Sequence, residues 1–181
     1  MKLIERSLMY QGLKWQVLRD TYETAEGKRH CHETVKHPGA VVILPLSPSG
    51  DIYFVRQYRH SIEAELLELP AGTRIPGEAP LACAQRELRE ELSLHSTAWI
   101  PFGTLYPAPG FCDERQFLFV ANDCSHSPGV PDEDEIIEPV VLSKAETLEA
   151  IARGEIQDAK SLALLFKAQI CGHCGFASQG R

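Results

Sequence analysis

The stretch GTRIPGEAPLACAQRELREELSL, residues 72–94, decides how the rest of the chain is read. Its first half is a loop, because Gly72, Pro76, Gly77 and Pro80 each cost free energy inside regular structure. Its second half is a helix over 79–92. Strong helix formers dominate there, and Pro80 fits the first turn, where a missing N–H costs little. On that helix Glu87, Glu90 and Glu91 stand at i, i+3 and i+4, so three carboxylates project from one side within about one turn. Arg86 neutralises part of the charge by pairing with Glu78 or a helix glutamate, but a single guanidinium does not balance the group. A hard divalent cation, Mg²⁺ or Mn²⁺, held by carboxylates, a backbone carbonyl and water, would. A solvated glutamate-rich face is the commoner meaning of such a run. Here Leu81, Ala84, Leu88 and Leu92 recur at helical intervals and predict a docked helix with its acidic edge beside the Gly/Pro loop.

This stretch resembles the signature of the Nudix hydrolases, G-x5-E-x7-R-E-U-x-E-E-x-G-U with U apolar. Gly72, Glu78, Arg86, Glu87, Leu88, Glu90, Glu91 and Leu94 match it. A chance match at those places is far rarer than roughly one in a million at ordinary residue frequencies. Ser93 departs from the pattern, which has glycine just past the helix, where a left-handed backbone is cheapest. Keeping that conformation with serine costs about 1 kcal/mol. Ser93 carries no chemistry, so the departure bears on the cap and not on activity.

With 181 residues, 44% of them hydrophobic and 24% charged, the chain suits one soluble domain with a sizeable core. Its net charge of −7 excludes a protein that grips nucleic acid through the phosphates, which needs a basic face. The opening MKLIERSLMY has no apolar run of the kind that directs secretion, and no segment approaches a bilayer-spanning length, so a cytoplasmic protein with no membrane partner is expected. The six cysteines are irregularly spaced in a chain too long to need disulfide staples. Cys171-Gly-His-Cys174 spells a thiol-disulfide exchange site, but it follows the apolar run 161–170 and so sits at the wrong end of a helix to stabilise thiolate. Half a zinc site lacks its second pair of ligands. Residues 171–181 read as an exposed, flexible tail.

Residues 1–37 alternate polar and apolar positions as short strands around a turn at Glu26 and Gly27, an N-terminal β-rich segment that packs on, or swaps with, the main domain over 38–170. His30 and His32 share one face of a strand and are metal-ligand candidates, although an exposed strand accounts for them as well. The run 40–46, a Pro/Ser/Gly/Asp turn and the run 52–58 predict a β-hairpin whose first strand is covered on both faces. Residues 65–70 lead into the Gly72 loop and place the Ala71 carbonyl where it can face the helix carboxylates. Strands follow over 99–105 and 115–121, bracketing the pre-shaped loop YPAPGFCDER, residues 106–115. Ser143 with Glu146 forms a capping box that starts a helix to about Arg153, and a last helix runs from Asp158 to about Ile170. Strands mixed with three helices give an α+β fold, an α/β/α sandwich around a mixed sheet.

Three further pieces resemble the ADP-ribose and nucleoside diphosphate sugar pyrophosphatases of the family. They are Arg56-Gln-Tyr-Arg59 with Glu68-Leu-Pro-Ala-Gly72, the 106–115 loop, and Asp132-Glu-Asp-Glu135 followed by GEIQDAKSL at 154–162. The resemblance implies Mg²⁺-dependent cleavage of a nucleoside diphosphate sugar, with Mn²⁺ as a substitute, by water attacking one phosphorus. It implies metal binding by the Ala71 carbonyl, Glu87, Glu91 and Glu135, with Glu90 assisting. Glu133 is the implied general base, with Asp132 and Glu135 as alternatives, since a base must reach the water from the side opposite the leaving phosphate. A solvated acidic loop is the plain alternative for 132–135. Arg59, with Arg56, would hold phosphate oxygens; Glu114 would bind sugar hydroxyls, and in this family does so across a homodimer interface. Tyr10, Trp15 and Tyr22 are candidates to stack on a base. Cleavage of dinucleoside polyphosphates or modified nucleoside triphosphates, and binding of an ADP-ribose-like ligand without cleavage, are the rival readings.

Overall fold

A computed structural model of the chain describes residues 1–127 and 137–173. In chain order its elements are β1 (Lys2–Gln11), β2 (Gln16–Glu23), β3 (Arg29–Lys36), β4 (Ala40–Pro45), β5 (Ile52–Arg59), β6 (Ala64–Glu68), β7 (Ala71–Thr73), α1 (Pro80–Leu92), β8 (Leu94–His95), β9 (Ala98–Leu105), β10 (Gln116–Asn122), β11 (Ser125–His126), β12 (Ile137–Leu142), α2 (Lys144–Ala152) and α3 (Ala159–Ile170).

β4 is buried at every position, as a strand covered on both faces must be. It sits inside a mixed four-stranded sheet of order β7-β4-β10-β9, parallel to β10 and antiparallel to β7. Its side chains alternate between two cores. Val41 and Ile43 pack with Cys83, Ala84 and Leu88 of α1, while Val42 and Leu44 pack with Phe54 of β5 and Leu164 and Leu165 of α3. Helices therefore cover both sides of the sheets, as the expected α/β/α sandwich requires. A second sheet, β12-β5-β6, forms the other wall.

The predicted hairpin between the first two strands of this domain does not form. The turn is there, with the Gly50 N–H donating to the Ser47 carbonyl at 2.9 Å, but beyond a single Leu46–Ile52 bridge β4 and β5 part into different sheets. β4 finds its partners in β7 and in the sequence-distant β10, and the divergence opens a gap between the sheets.

The three N-terminal strands form a sheet of their own, β1-β2-β3, antiparallel throughout. The end of β3 is stitched to the 106–115 loop. The Val35 N–H donates to the Phe111 carbonyl at 2.7 Å, the Asp113 N–H to the Val35 carbonyl at 3.0 Å, and Lys36 pairs with Asp113. Both halves of the expected capping box are present at Ser143 and Glu146. Cys171 lies at the C-terminal end of α3, the wrong pole for a stabilised thiolate, and Cys174 falls outside the described residues. Among the described residues, no helix is long and apolar enough to cross a membrane.

Candidate active site

α1 is held by its apolar stripe, which differs at one position from expectation. Leu81 is 39% exposed, and Cys83 with Ala84, Leu88 and Leu92 supplies the buried face. Burial pushes the Cys83 thiol up to about 12, so it is a neutral filler. Ser93 ends the helix in the left-handed conformation, φ 52°, its N–H donating to the Arg89 carbonyl at 3.0 Å.

The opposite edge of α1 carries the signature charges. Arg86 is the hub. Its Nε donates to Glu78 Oε1 at 2.9 Å, and its Nη1 donates to Glu87 Oε1 at 2.7 Å and to Glu90 Oε2 at 2.8 Å. These bonds hold the Glu78 carboxyl down to about 2 and raise the guanidinium well above its ordinary range. Glu78 also accepts from the Ile75 N–H at 3.0 Å, so the ion pair shapes the loop as well as the helix. Glu91, only 9% exposed, accepts from the Ala71 N–H at 3.2 Å. A Cβ placed on Gly72 would lie 1.8 Å from Glu87 Cδ, so only glycine lets the strand pass this close to that carboxylate.

The gap between the sheets opens here as a cleft of about 810 Å³. Ala71, Glu87, Glu90 and Glu91 line it together with the cations Arg59, Arg74, Arg86 and Lys160, and Glu114 and Gln116 are part of the same lining. Gln116 Nε2 donates to Glu114 Oε1 at 2.9 Å. Leu13 and Lys14, at the tip of the β1–β2 hairpin, reach the rim. Trp15 stacks on His37 with ring centroids 6.2 Å apart, Tyr22 meets His32 edge to face, and Tyr10 is exposed on β1.

Of the residues singled out in the sequence, the fold brings Arg59, Ala71, Glu87, Glu90, Glu91 and Glu114 to this cleft. Arg56 stands on the other face of β5 from Gln57 and Arg59, outside the lining, with Glu138 at 3.9 Å as its nearest ion-pair partner. Asp132, Glu133 and Glu135 lie outside the described residues. His30 and His32 belong to no ligand cluster among the described residues. Glu68 and Lys160 fall inside the motifs quoted above but received no role from the sequence. A charge embedded in the apolar run Leu66-Leu67-Glu68-Leu69-Pro70 was the available signal.

Among the described residues no three acidic, histidine or cysteine side chains form a ready-made cage, and Glu87 and Glu90 are both paired with Arg86. The donor set nevertheless fits a hard divalent cation. It is oxygen only, it lines an open cleft, and its carboxylates outnumber the single guanidinium among them.

The model of the NUDIX domain family matches residues 35–165, from the end of β3 into α3. Hydrolases of pyrophosphate bonds are the class so defined. The chain belongs to the Nudix family, whose members generally use divalent metals. It is 33% identical over 162 residues to the ADP-ribose pyrophosphatase of Bacillus subtilis, covering 88% of each chain. It is 34% identical over 166 residues to the methanol dehydrogenase activator of Bacillus methanolicus, covering 89% of this chain and 88% of that one. It is 32% identical over 170 residues to a GDP-mannose pyrophosphatase of Yersinia enterocolitica, covering 89% and 82%. The crystal structure of an ADP compounds hydrolase superposes with a TM-score of 0.84 over 97% of this chain and 95% of that one, at 20% identity, a likeness of fold.

Proposed function

We propose that this chain hydrolyses the pyrophosphate bond of nucleoside diphosphate sugars, ADP-ribose being the best single choice, to a nucleoside monophosphate and a sugar phosphate. The observation that carries the reading is one cleft lined both by the carboxylates Glu87, Glu90 and Glu91 and by cations that include Arg59 and Lys160. A diphosphate fits there only if the carboxylates are neutralised. Glu87, Glu91, Glu90 and the Ala71 carbonyl would hold Mg²⁺, or Mn²⁺ in its place, with Glu135 as a further ligand. Bound there, the cation supplies charge neutralisation of the diphosphate and acidifies water. Arg59 would bind a phosphate oxygen through its planar fork. Glu114, with Gln116 bonded to it, would accept from hydroxyls of the sugar. Glu133 is the proposed base, and Glu133→Gln should lower kcat with little change in KM; an unchanged kcat moves the role to Asp132 or Glu135.

The names of the B. subtilis and Y. enterocolitica relatives support a diphosphate sugar over a dinucleoside polyphosphate. The exposed Leu3, Ile4, Leu8, Met9 and Tyr10 on β1 support the homodimer. The test is release of AMP and a sugar phosphate from ADP-ribose with and without Mg²⁺, beside GDP-mannose and a dinucleoside polyphosphate. Cleavage of the last alone would sink the reading. Similarity to the B. methanolicus protein favours a second one, activation of a dehydrogenase. Adding the chain to a methanol dehydrogenase assay should raise turnover on that reading and leave it unchanged on the first.

A further inference from the structure

Glu68 is the most completely buried carboxylate among the described residues, its side chain 2% exposed, and no step above uses it. Burial alone would favour its neutral form, yet its carboxyl is held below the usual range because two cations converge on it. Arg59 grips it as a fork, Nε to Oε1 at 2.9 Å and Nη2 to Oε2. Lys160 Nζ donates to the same Oε2 and, at 2.8 Å, to Asp158 Oδ1. Asp158 is also the N-cap of α3, its Oδ1 accepting from the Ser161 N–H at 3.0 Å. One residue along, the buried Ser161 Oγ accepts from the Leu69 N–H at 2.8 Å. Two consecutive residues at the end of β6 are thus bonded to two consecutive residues in the first turn of α3. Pro70 and Ala71, which follow directly, lead into the cleft.

We propose that Glu68 is a positioning residue, which with Asp158 fixes Arg59 and Lys160 as one preformed basic wall that receives the diphosphate of the substrate. The inference rests on the proposed function for the substrate class. A lysine and an arginine on separate elements have many rotamers each, and holding both from below removes that freedom before the ligand arrives. Glu68 acts through these two cations and touches no reacting atom.

Two opposite effects meet in Glu68→Gln. Removing a competing carboxylate frees positive charge for the phosphates, whereas losing the fork lets both cations wander. The proposal requires that the second effect win. Calorimetry with ADP as the probe should show affinity falling on the order of tenfold in Glu68→Gln, and steady-state kinetics on ADP-ribose should show KM rising by a similar factor with kcat less affected. Because Glu68→Gln can also loosen the fold, Asp158→Asn serves as the second variant. It keeps a good N-cap but weakens the hold on Lys160, so ADP affinity should fall several-fold with the thermal midpoint nearly unchanged. In a double-mutant cycle, Glu68→Gln and Arg59→Lys should be strongly non-additive in ADP affinity. Unchanged or tighter ADP binding in both folded single variants, or additive effects in the cycle, overturns the positioning role. If wild-type protein binds ADP in this Glu68-dependent way but cleaves no diphosphate sugar, the proposed substrate fails and the clamp stands.

Discussion

Two ion clusters line the same cleft, and they are built on opposite principles. Around Arg86 one guanidinium serves three carboxylates, Glu78, Glu87 and Glu90, at a partly open helix edge. Around Glu68, among the described residues, two cations and two carboxylates join in one network deeper in the fold. Among the described residues the first cluster has fewer cations than carboxylates, a shortfall that the cation of the proposed function would make good. Among the described residues the second has as many cations as carboxylates. On the proposed function, chemistry belongs to the cluster that is short of charge, while the balanced one serves both stability and the positioning of Arg59 and Lys160.

The largest way to break that contrast is to neutralise the charge-poor cluster. Glu87→Gln and Glu91→Gln should each lower kcat on the order of a hundredfold or more at saturating Mg²⁺, with the circular dichroism spectrum unchanged. Either variant keeping near wild-type turnover would void the metal assignment. In the balanced cluster the same kind of change should act on stability. Lys160→Met strands buried carboxylates and should cost about 3 kcal/mol in urea denaturation, whereas Glu149→Gln, which removes the exposed Glu149–Arg153 pair, should cost under ~0.5 kcal/mol.

A pH series sharpens the comparison. The Glu78 carboxyl drops from an ordinary 4.5 to about 2 in the folded chain, so its bonds to Arg86 stabilise the fold fully above pH 4.5. That stability is lost as pH falls from 4.5 toward 2. Urea midpoints measured across this window should fall in wild type and fall less steeply in Glu78→Gln. A comparably small effect is expected at the helix end. Ser93→Gly relieves a positive φ and should raise stability by about 0.5 kcal/mol, read as a small upward shift of Tm with activity unchanged.

The acidic edge of α1 was legible because its information is local: spacing of three or four residues places Glu87, Glu90 and Glu91 on one side, and the fold keeps them there. The capping box at Ser143 was legible for the same reason. The pairing of β4 with β10 was not, since nothing near residues 40–45 names a parallel partner at 116–121. The turn at 47–50 suggested the nearer strand, and tertiary pairing overrode it. Glu68 illustrates the same limit. Its place in an apolar run signals a partner but does not say which, and one of the two cations lies 92 residues away.

The parallel ladder between β4 and β10 also sets an order of events during synthesis. The signature helix leaves the ribosome before the strand that completes the sheet beneath it, and Phe119 and Ala121 of that strand form part of the surface on which α1 rests. Until those residues emerge, the glutamates are on a peptide with an incomplete bed. The nascent chain acquires its acidic cradle only after Ala121 has been made, a late closure typical of contacts far apart in sequence.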